Sequence, residues 1–284
     1  MDAEDTAILI PAHNDDYCLD LCLESLAGAV DARIIVLENG STDDTFRVAA
    51  WWQQESPLVE VHSREKTLNY AEGRRRLQAL TDARHLIFID SDFVLIEDRA
   101  DELRDIVEDP ARGLVVFRHC QMVGDFFHVG RAHHTDRSHC YVDHDAFRDF
   151  EWSQTRNGFL RHNHQPAAKP SALRLFWHLN CVRPDHRLAA RLQDRTWFTG
   201  EQKERPADRA ARMPDWKLHD LAMERLYGLW RKGLLRHRDD ASTPPLPRVI
   251  QDRMPGRFEM MWEDGEPVDR KDIGWTPPWD RDHA

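Results

Sequence analysis

The feature that most restricts the fold is the stretch Leu86-Ile87-Phe88-Ile89-Asp90-Ser91-Asp92. An apolar run ends abruptly in two carboxylates spaced i, i+2. A short, continuous apolar run bounded by polar residues reads as a strand buried on both faces, as in parallel sheets covered by helices. If the strand persists, both acids point the same way, because strand side chains repeat every second residue. In an open α/β sheet the carboxyl ends of the strands form the ligand crevice. Two carboxylates there suit a hard divalent cation held against the phosphates of a substrate. The competing reading is a solvated turn, or a cap for a helix beginning near Glu97.

The preceding residues favour the sheet. Thr6 to Ile10 is a short apolar run closed by Pro11, followed by the polar loop Pro11-Ala12-His13-Asn14-Asp15-Asp16. Leu19, Cys22, Leu23 and Leu26 then fall on one helix face, and Gly28 ends that helix. Arg33 to Leu37 reads as a second buried strand and Glu38 to Asp44 as its loop, with Ser41 or Thr42 placed to cap a helix from about Asp43 to Glu55. Leu58 to His62 alternates as a shorter strand, and Leu68 to Leu80 is helical. This β-α-β-α-β-α-β order over roughly the first 90 residues predicts a parallel sheet with helices on both faces. It places three loops at the carboxyl edge: His13 to Asp16, Glu38 to Asp44 and Asp90 to Asp92.

Beyond Asp92 the pattern loosens. Phe93 to Val107 reads as a helix stopped by Pro110, and Leu114 to Phe117 as a strand. From His119 to His144 lie six histidines (His119, His128, His133, His134, His139, His144) with Asp136, Asp143 and Asp145, so a structural zinc site is conceivable beside a plain polar loop. Cys140 to Asp145 reads as a strand delivering an acid to the crevice. Asp185 to Arg212 is polar and Arg-rich. Residues 215–238 form an amphipathic helix with Leu218, Leu221, Leu226, Leu229, Trp230 and Leu234 on one broad face. That face packs back on the domain or makes a homodimer contact. Ser242 to Pro247 reads as an extended linker, and Trp262, Trp275 and Trp279 as a tail that covers the domain or stacks on sugars.

Composition bounds the partners. Net charge is −11, which argues against non-specific polyanion binding over the whole surface. Lys and Arg total 39, mostly Arg, which favours bidentate phosphate contacts where they cluster. No run approaches the ~18 apolar residues of a membrane span. The acidic Met1-Asp2-Ala3-Glu4-Asp5 start lacks the basic region of a signal peptide, so a cytoplasmic protein is expected. The five cysteines (Cys18, Cys22, Cys120, Cys140, Cys181) are odd in number and form no Cys-x-x-Cys, so reduced thiols are expected. No P-loop signature is present, and no Gly-x-Gly-x-x-Gly follows the first strand.

Three strings in order, Ile10-Pro11-Ala12-His13-Asn14, Leu37-Glu38-Asn39-Gly40-Ser41-Thr42-Asp43-Asp44-Thr45 and Ile89-Asp90-Ser91-Asp92, resemble the nucleotide-sugar half of GT-A-fold glycosyltransferases of family 2. The resemblance implies a GT-A α/β catalytic domain over 1–184, with 1–95 the nucleotide-sugar half and 96–184 the acceptor half. A helical, Pro- and Trp-rich extension would follow over 185–284. It implies that Asp92 binds Mn²⁺ or Mg²⁺, that Asp90 contacts the ribose or assists the metal, and that a late histidine, His178, completes the metal shell. Pro11, Ala12, His13, Asn14, Glu38, Asn39, Arg74, Asp90 and Ser91 would line the donor, with Glu38 in place of the usual nucleobase-reading Asp. Where the family has Asn after its Arg, this chain has Arg75. The family's Glu-Asp pair that supplies the general base is missing, which leaves Asp143, Asp145 and Glu151 as candidates.

The chemistry is coherent without the resemblance. A nucleoside diphosphate leaving group gains negative charge as the glycosidic bond breaks, and a divalent cation on its oxygens stabilises that charge. An inverting transfer further needs a base within hydrogen-bond reach of the acceptor hydroxyl. With the resemblance, the expectation is a metal-dependent transferase that moves a sugar from a nucleotide sugar, UDP-linked, to a glycan, metabolite, protein or modified-DNA hydroxyl, with the inversion that the resemblance implies. Its rivals are a nucleotidyltransferase, which usually wants a Gly-rich, Lys-bearing first loop, and a non-catalytic nucleotide-sugar-binding or scaffold protein.

Overall fold

The alternation of apolar strands and amphipathic helices in the first 90 residues becomes a twisted parallel sheet. A computed structural model describes residues 5–65, 67–109, 113–123, 125–130, 139–145, 151–152, 160–161, 169–181, 213–237, 243–252, 258–264, 266–272 and 276–283. Strands β1 (Thr6–Ala12), β2 (Arg33–Glu38), β3 (Val59–Ser63) and β4 (His85–Phe88) run parallel in the order β3-β2-β1-β4. Helices α1 (Asp16–Ala27), α2 (Thr45–Glu55) and α3 (Tyr70–Gln78) connect them.

Strand periodicity divides the core in two. Ile8, Ile10, Ile34, Val36 and Ile87 pack under α1 and α2, through Leu19, Leu23, Val48 and Trp52. Ala7, Leu9, Ile35, Leu37, Leu86 and Phe88 pack on the other face against Ala71 and Leu77 of α3. Each fully buried aliphatic side chain contributes roughly 1.5–3 kcal/mol, so a one-residue slip of any strand would exchange both faces and is strongly disfavoured.

Several boundaries differ from expectation. Pro11 does not end β1, because Pro11 and Ala12 still pair in register with Leu37 and Glu38. Neither Ser41 nor Thr42 caps α2: its N-cap position is Asp44, which makes no side-chain capping bond, and Asp43 Oδ1, one residue earlier, accepts from the Thr45 backbone N–H (3.0 Å). The central strand stops at Phe88, and Phe93–Leu95 forms a short strand, β5, where a helix was expected. Phe93, Val94 and Leu95 are all fully buried, a pattern that a helix with one wet face cannot satisfy. The helix α4 (Ala100–Glu108) begins only after a 3₁₀ turn at Glu97–Arg99.

The second half extends the sheet with mixed directions. It adds β6 (Leu114–Val123), β7 (Asp125–Gly130), β8 (Cys140–Asp143), the short pair β9 (Glu151–Trp152) and β10 (Leu160–Arg161), and the long β11 (Lys169–Cys181). β8 lies antiparallel between β4 and β6. β11 runs parallel to β6 and antiparallel to β5.

Helix α5 (Asp215–Arg231) is shorter than expected. Gly233, in the left-handed region at φ 64°, closes it: its N–H donates to Trp230 O (2.7 Å) and the Leu234 N–H to Leu229 O (3.0 Å), the paired bonds of a Schellman stop. Leu235–His237 then forms β12, antiparallel to β7. The inner face of α5 packs within the chain: Ala222 and Leu226 meet Val123 and Met260, the latter from the hairpin β13 (Phe258–Glu263) and β14 (Glu266–Asp272).

The stretch expected to be a linker is tied down. Leu246, Val249 and Ile250, the last two in α6 (Arg248–Gln251), pack with Leu21 and Trp177, whose indole N–H donates to Pro245 O (3.0 Å). Of the tail tryptophans, Trp279 lies under the Arg47 guanidinium (3.9 Å) against the α1–α2 core, and Trp262 stacks on His128 (4.4 Å). His133, His134, Asp136, the stretch 185–212 and Trp275 lie outside the described residues. Among the described residues, no helix is long and apolar enough to cross a membrane.

Candidate active site

Three loops meet at the carboxyl edge of β1, β2 and β4 and are stitched into one surface. The Asn39 N–H donates to Ala12 O (2.8 Å) and the Asn14 N–H to Ser41 Oγ (3.0 Å). Asn14 holds a left-handed conformation (φ 53°) while its Oδ1 accepts from the Thr42 N–H (2.7 Å). Such a backbone in a non-glycine residue persists where its surroundings over-determine it, most often at functional sites. Ser91 Oγ donates to Asp15 Oδ2 (2.6 Å), which joins the first loop to the third.

Glu38 and Asn39 support the second loop from below. Glu38 is buried; its Oε1 accepts from the Ser41 N–H (2.6 Å) and its Oε2 from Ser63 Oγ (2.9 Å). Asn39 binds Leu68 through both ends of its amide, at 3.0 and 2.8 Å. Gly40 follows them at φ 72°, and a Cβ there would lie 3.3 Å from the carbonyls of Arg64 and Glu65. Only glycine combines that conformation with so close an approach.

The acid pair is divided by its partners. Asp90 Oδ1 is bound by Arg74, and Oδ2 lies 2.9 Å from His139 Nε2. Arg74 is fully buried, its position on α3 fixed by a capping box between Asn69 and Glu72 and by a bond to the Tyr70 hydroxyl (2.8 Å). Burial alone would push the Asp90 carboxyl up, but the Arg74 guanidinium and His139 outweigh it and hold the pKa down at about 2. Asp92 is buried and lies on His178 instead, Oδ2 to Nε2 at 3.1 Å, while its carbonyl accepts from the Leu179 N–H (2.8 Å). Asp90 and Asp92 are therefore not equivalent strand-end ligands. They sit in a turn, one clamped by a cation and one facing the late histidine.

Two of the base candidates, Asp143 and Asp145, do not gather here. Because β8 is antiparallel to β4, Asp143 pairs with His85, at the amino end of β4. At a strand rise of about 3.3 Å per residue, that is ~16 Å along the sheet from Asp90. There Arg84 grips Asp143 (3.0 and 3.4 Å) and approaches Asp145 (3.7 Å). The reading of β8 as a strand that delivers an acid to the crevice is thus reversed: periodicity locates a strand but does not give its direction. Glu151 lies in β9, which packs beside α3.

The same reversal brings in residues that the acid search missed. The start of β8 faces the crevice, and His139 precedes it, its carbonyl held by the Phe117 N–H (2.9 Å). His119, His139 and His178 surround the Phe93 ring at centroid distances of 5.1, 3.9 and 4.5 Å. The signal was the cluster of histidines in 119–144. Its remaining described members are dispersed: His128 binds Asp125 (2.8 Å), and His144 lies 3.5 Å from Gln78.

Among the described residues, no three His, Cys, Asp or Glu side chains form a ready-made metal cluster. Asp92 and His178 nevertheless fit a hard divalent ion as a two-ligand site. Neighbouring ligands of an octahedral ion at 2.0–2.1 Å stand about 3 Å apart, and Asp92 Oδ2 and His178 Nε2 are 3.1 Å apart.

A parallel β-α-β sheet that ends in an Asp-x-Asp turn and continues into a mixed second half is the GT-A glycosyltransferase architecture. A model of the domain described as glycosyl transferase family 2 matches residues 7–169, more than half of the chain, and the chain belongs to that family of enzymes. Among curated proteins, none matches the sequence. Among solved structures, S. aureus TarS is similar with 11% identity and a TM-score of 0.46, covering 73% of this chain and 42% of TarS. TarS 1-349 in complex with UDP is similar with 9% identity and a TM-score of 0.49, covering 80% of this chain and 72% of that one. The mannosyltransferase PcManGT from Pyrobaculum calidifontis, in complex with GDP-Man and Mn²⁺, shows 13% identity and a TM-score of 0.45, covering 80% and 73%.

Proposed function

We propose that the chain transfers a sugar from a nucleoside-diphosphate sugar, a UDP-sugar, to a hydroxyl acceptor, with inversion and with the help of Mn²⁺ or Mg²⁺. The observation that carries this reading is the convergence of Asp92 Oδ2 and His178 Nε2 at 3.1 Å, on the loop edge that binds ligands in open α/β sheets. A divalent ion held there would supply charge stabilisation to the departing diphosphate. Asp92 and His178 would hold it, and phosphate oxygens and water would fill its other positions.

The remaining residues orient the donor. Asp90, ionised and clamped by Arg74 and His139, keeps acceptor lone pairs for a ribose hydroxyl. The loops carrying Pro11, Ala12, His13, Asn14, Glu38 and Asn39 would frame the nucleoside, and Ser91 locks the third loop to the first through Asp15. With Asp143 and Asp145 at the opposite edge, Glu151 is the remaining candidate for the base. Cys18, Cys22, Cys120 and Cys140 are buried thiols, as suits a reducing cytoplasm.

Calorimetry of UDP with Mn²⁺ tests the site. The wild type is expected to bind UDP only with the ion present, and Asp92→Ala to lose that binding. Unchanged binding by Asp92→Ala would overturn the assignment. Release of UDP from a panel of UDP-sugars, with no pyrophosphate, would separate transferase chemistry from nucleotidyl transfer.

A further inference from the structure

We propose that His139 is a positioning residue for the donor: it fixes the Asp90 carboxylate in one orientation, ready to accept from a ribose hydroxyl. The inference rests on the reading that a nucleoside diphosphate binds at this edge. The Asp90 side chain is 28% exposed, so packing alone does not hold it against rotation into the crevice. Two opposed contacts do. Arg74 takes Oδ1 from the α3 side, and His139 Nε2 takes Oδ2 from the β8 side at 2.9 Å. A carboxylate bound at both oxygens presents its remaining lone pairs in a fixed plane, where a ribose hydroxyl can donate to them.

His139 is itself held on two sides. Its side chain is 2% exposed, its ring lies 3.9 Å from the Phe93 ring, and its carbonyl is bonded to Phe117. Phe93 also carries the ring of His178 at 4.5 Å. One phenyl ring therefore supports both histidines, and each histidine meets one acid: His139 with Asp90, His178 with Asp92. The division of labour between the acids follows from this arrangement. His178 faces Asp92, and His139, its ring 6.0 Å from that of His178, occupies Oδ2 of Asp90.

The test uses the full chain with Mn²⁺ and UDP or GDP, whichever the wild type binds. Gln places an amide nitrogen near the position of His Nε2, whereas the amide of Asn falls short of it. His139→Ala and His139→Asn are expected to weaken nucleotide binding about tenfold, with kcat on the matching nucleotide sugar within about threefold of the wild type. His139→Gln is expected to restore binding to within about threefold. In a double-mutant cycle, Asp90→Asn and His139→Ala together should weaken binding no more than Asp90→Asn alone. Equal binding by the wild type and His139→Ala, or equal defects in the Gln and Asn variants, would overturn the positioning role and leave the donor reading standing. A wild type that binds neither nucleotide with Mn²⁺ would overturn both.

Discussion

At the carboxyl end of β4, Asp90 and Asp92 lie in a turn beside His139 and His178; at its amino end, Asp143 and Asp145 lie beside Arg84. The two pairs share a composition and the i, i+2 spacing, and they belong to hydrogen-bonded neighbouring strands or the turns that follow them. Their surroundings differ. At the amino end the chain supplies its own cation, and the Asp145 N–H adds a bond to Asp143 Oδ1 (3.0 Å), so the pair closes on itself. At the carboxyl end Arg74 binds Asp90. Asp92 faces a histidine, a group that ligates metals when neutral. An acid pair gains chemistry from the edge on which it sits and from the partners around it, not from its spacing.

Substitutions would sharpen that contrast. The largest effect is expected from Asp92→Ala, which should lower donor turnover by about 10²–10³-fold, since a metal on a leaving group contributes several kcal/mol; a steady-state assay at saturating Mn²⁺ reads it. Asp143→Ala should leave turnover within about twofold while lowering the melting temperature, because it removes the partner of a fixed arginine. His178→Ala should weaken Mn²⁺ binding about tenfold or more, measured by titration of the metal in the presence of UDP. Ser91→Ala should cost about 1 kcal/mol of loop order, seen as a roughly fivefold rise in the nucleotide Kd.

Acid provides a further comparison within the site. The folded-state pKa of Asp90 lies at about 2, below its ordinary 3.8. A depressed carboxyl stabilises the fold above its unfolded pKa, and the contribution disappears as pH falls through the folded value. Wild-type stability should therefore decline between about pH 4 and pH 2 more steeply than that of Asp90→Asn, in denaturant melts followed across that range. Equal slopes would mean that the clamp by Arg74 and His139 does not hold in solution.

The first half of the fold was legible because its strands are uninterrupted apolar runs and its helices carry periodic faces, so Ile8, Ile35 and Phe88 declare their burial through neighbours alone. The three loop strings and the Asp-x-Asp turn followed from strand ends. Later elements depend on distant partners. Phe93–Leu95 is a strand only because β11 arrives from some 80 residues away to pair with it. β8 was visible, but its direction is set by β4 and β6, and that direction exchanged Asp143 for His139 in the crevice. Leu234 continued the helical spacing of Leu226 and Trp230, while Gly233 carried the stop signal that the spacing concealed.

The central claim, that the carboxyl-edge acids and not the amino-edge acids make a metal-dependent donor site, is tested most directly by calorimetry of UDP with and without Mn²⁺ in the wild type, Asp92→Ala and Asp143→Ala. The account predicts ion-dependent binding in the wild type and in Asp143→Ala, and none in Asp92→Ala. Binding retained by Asp92→Ala, or lost in a folded Asp143→Ala, would contradict it.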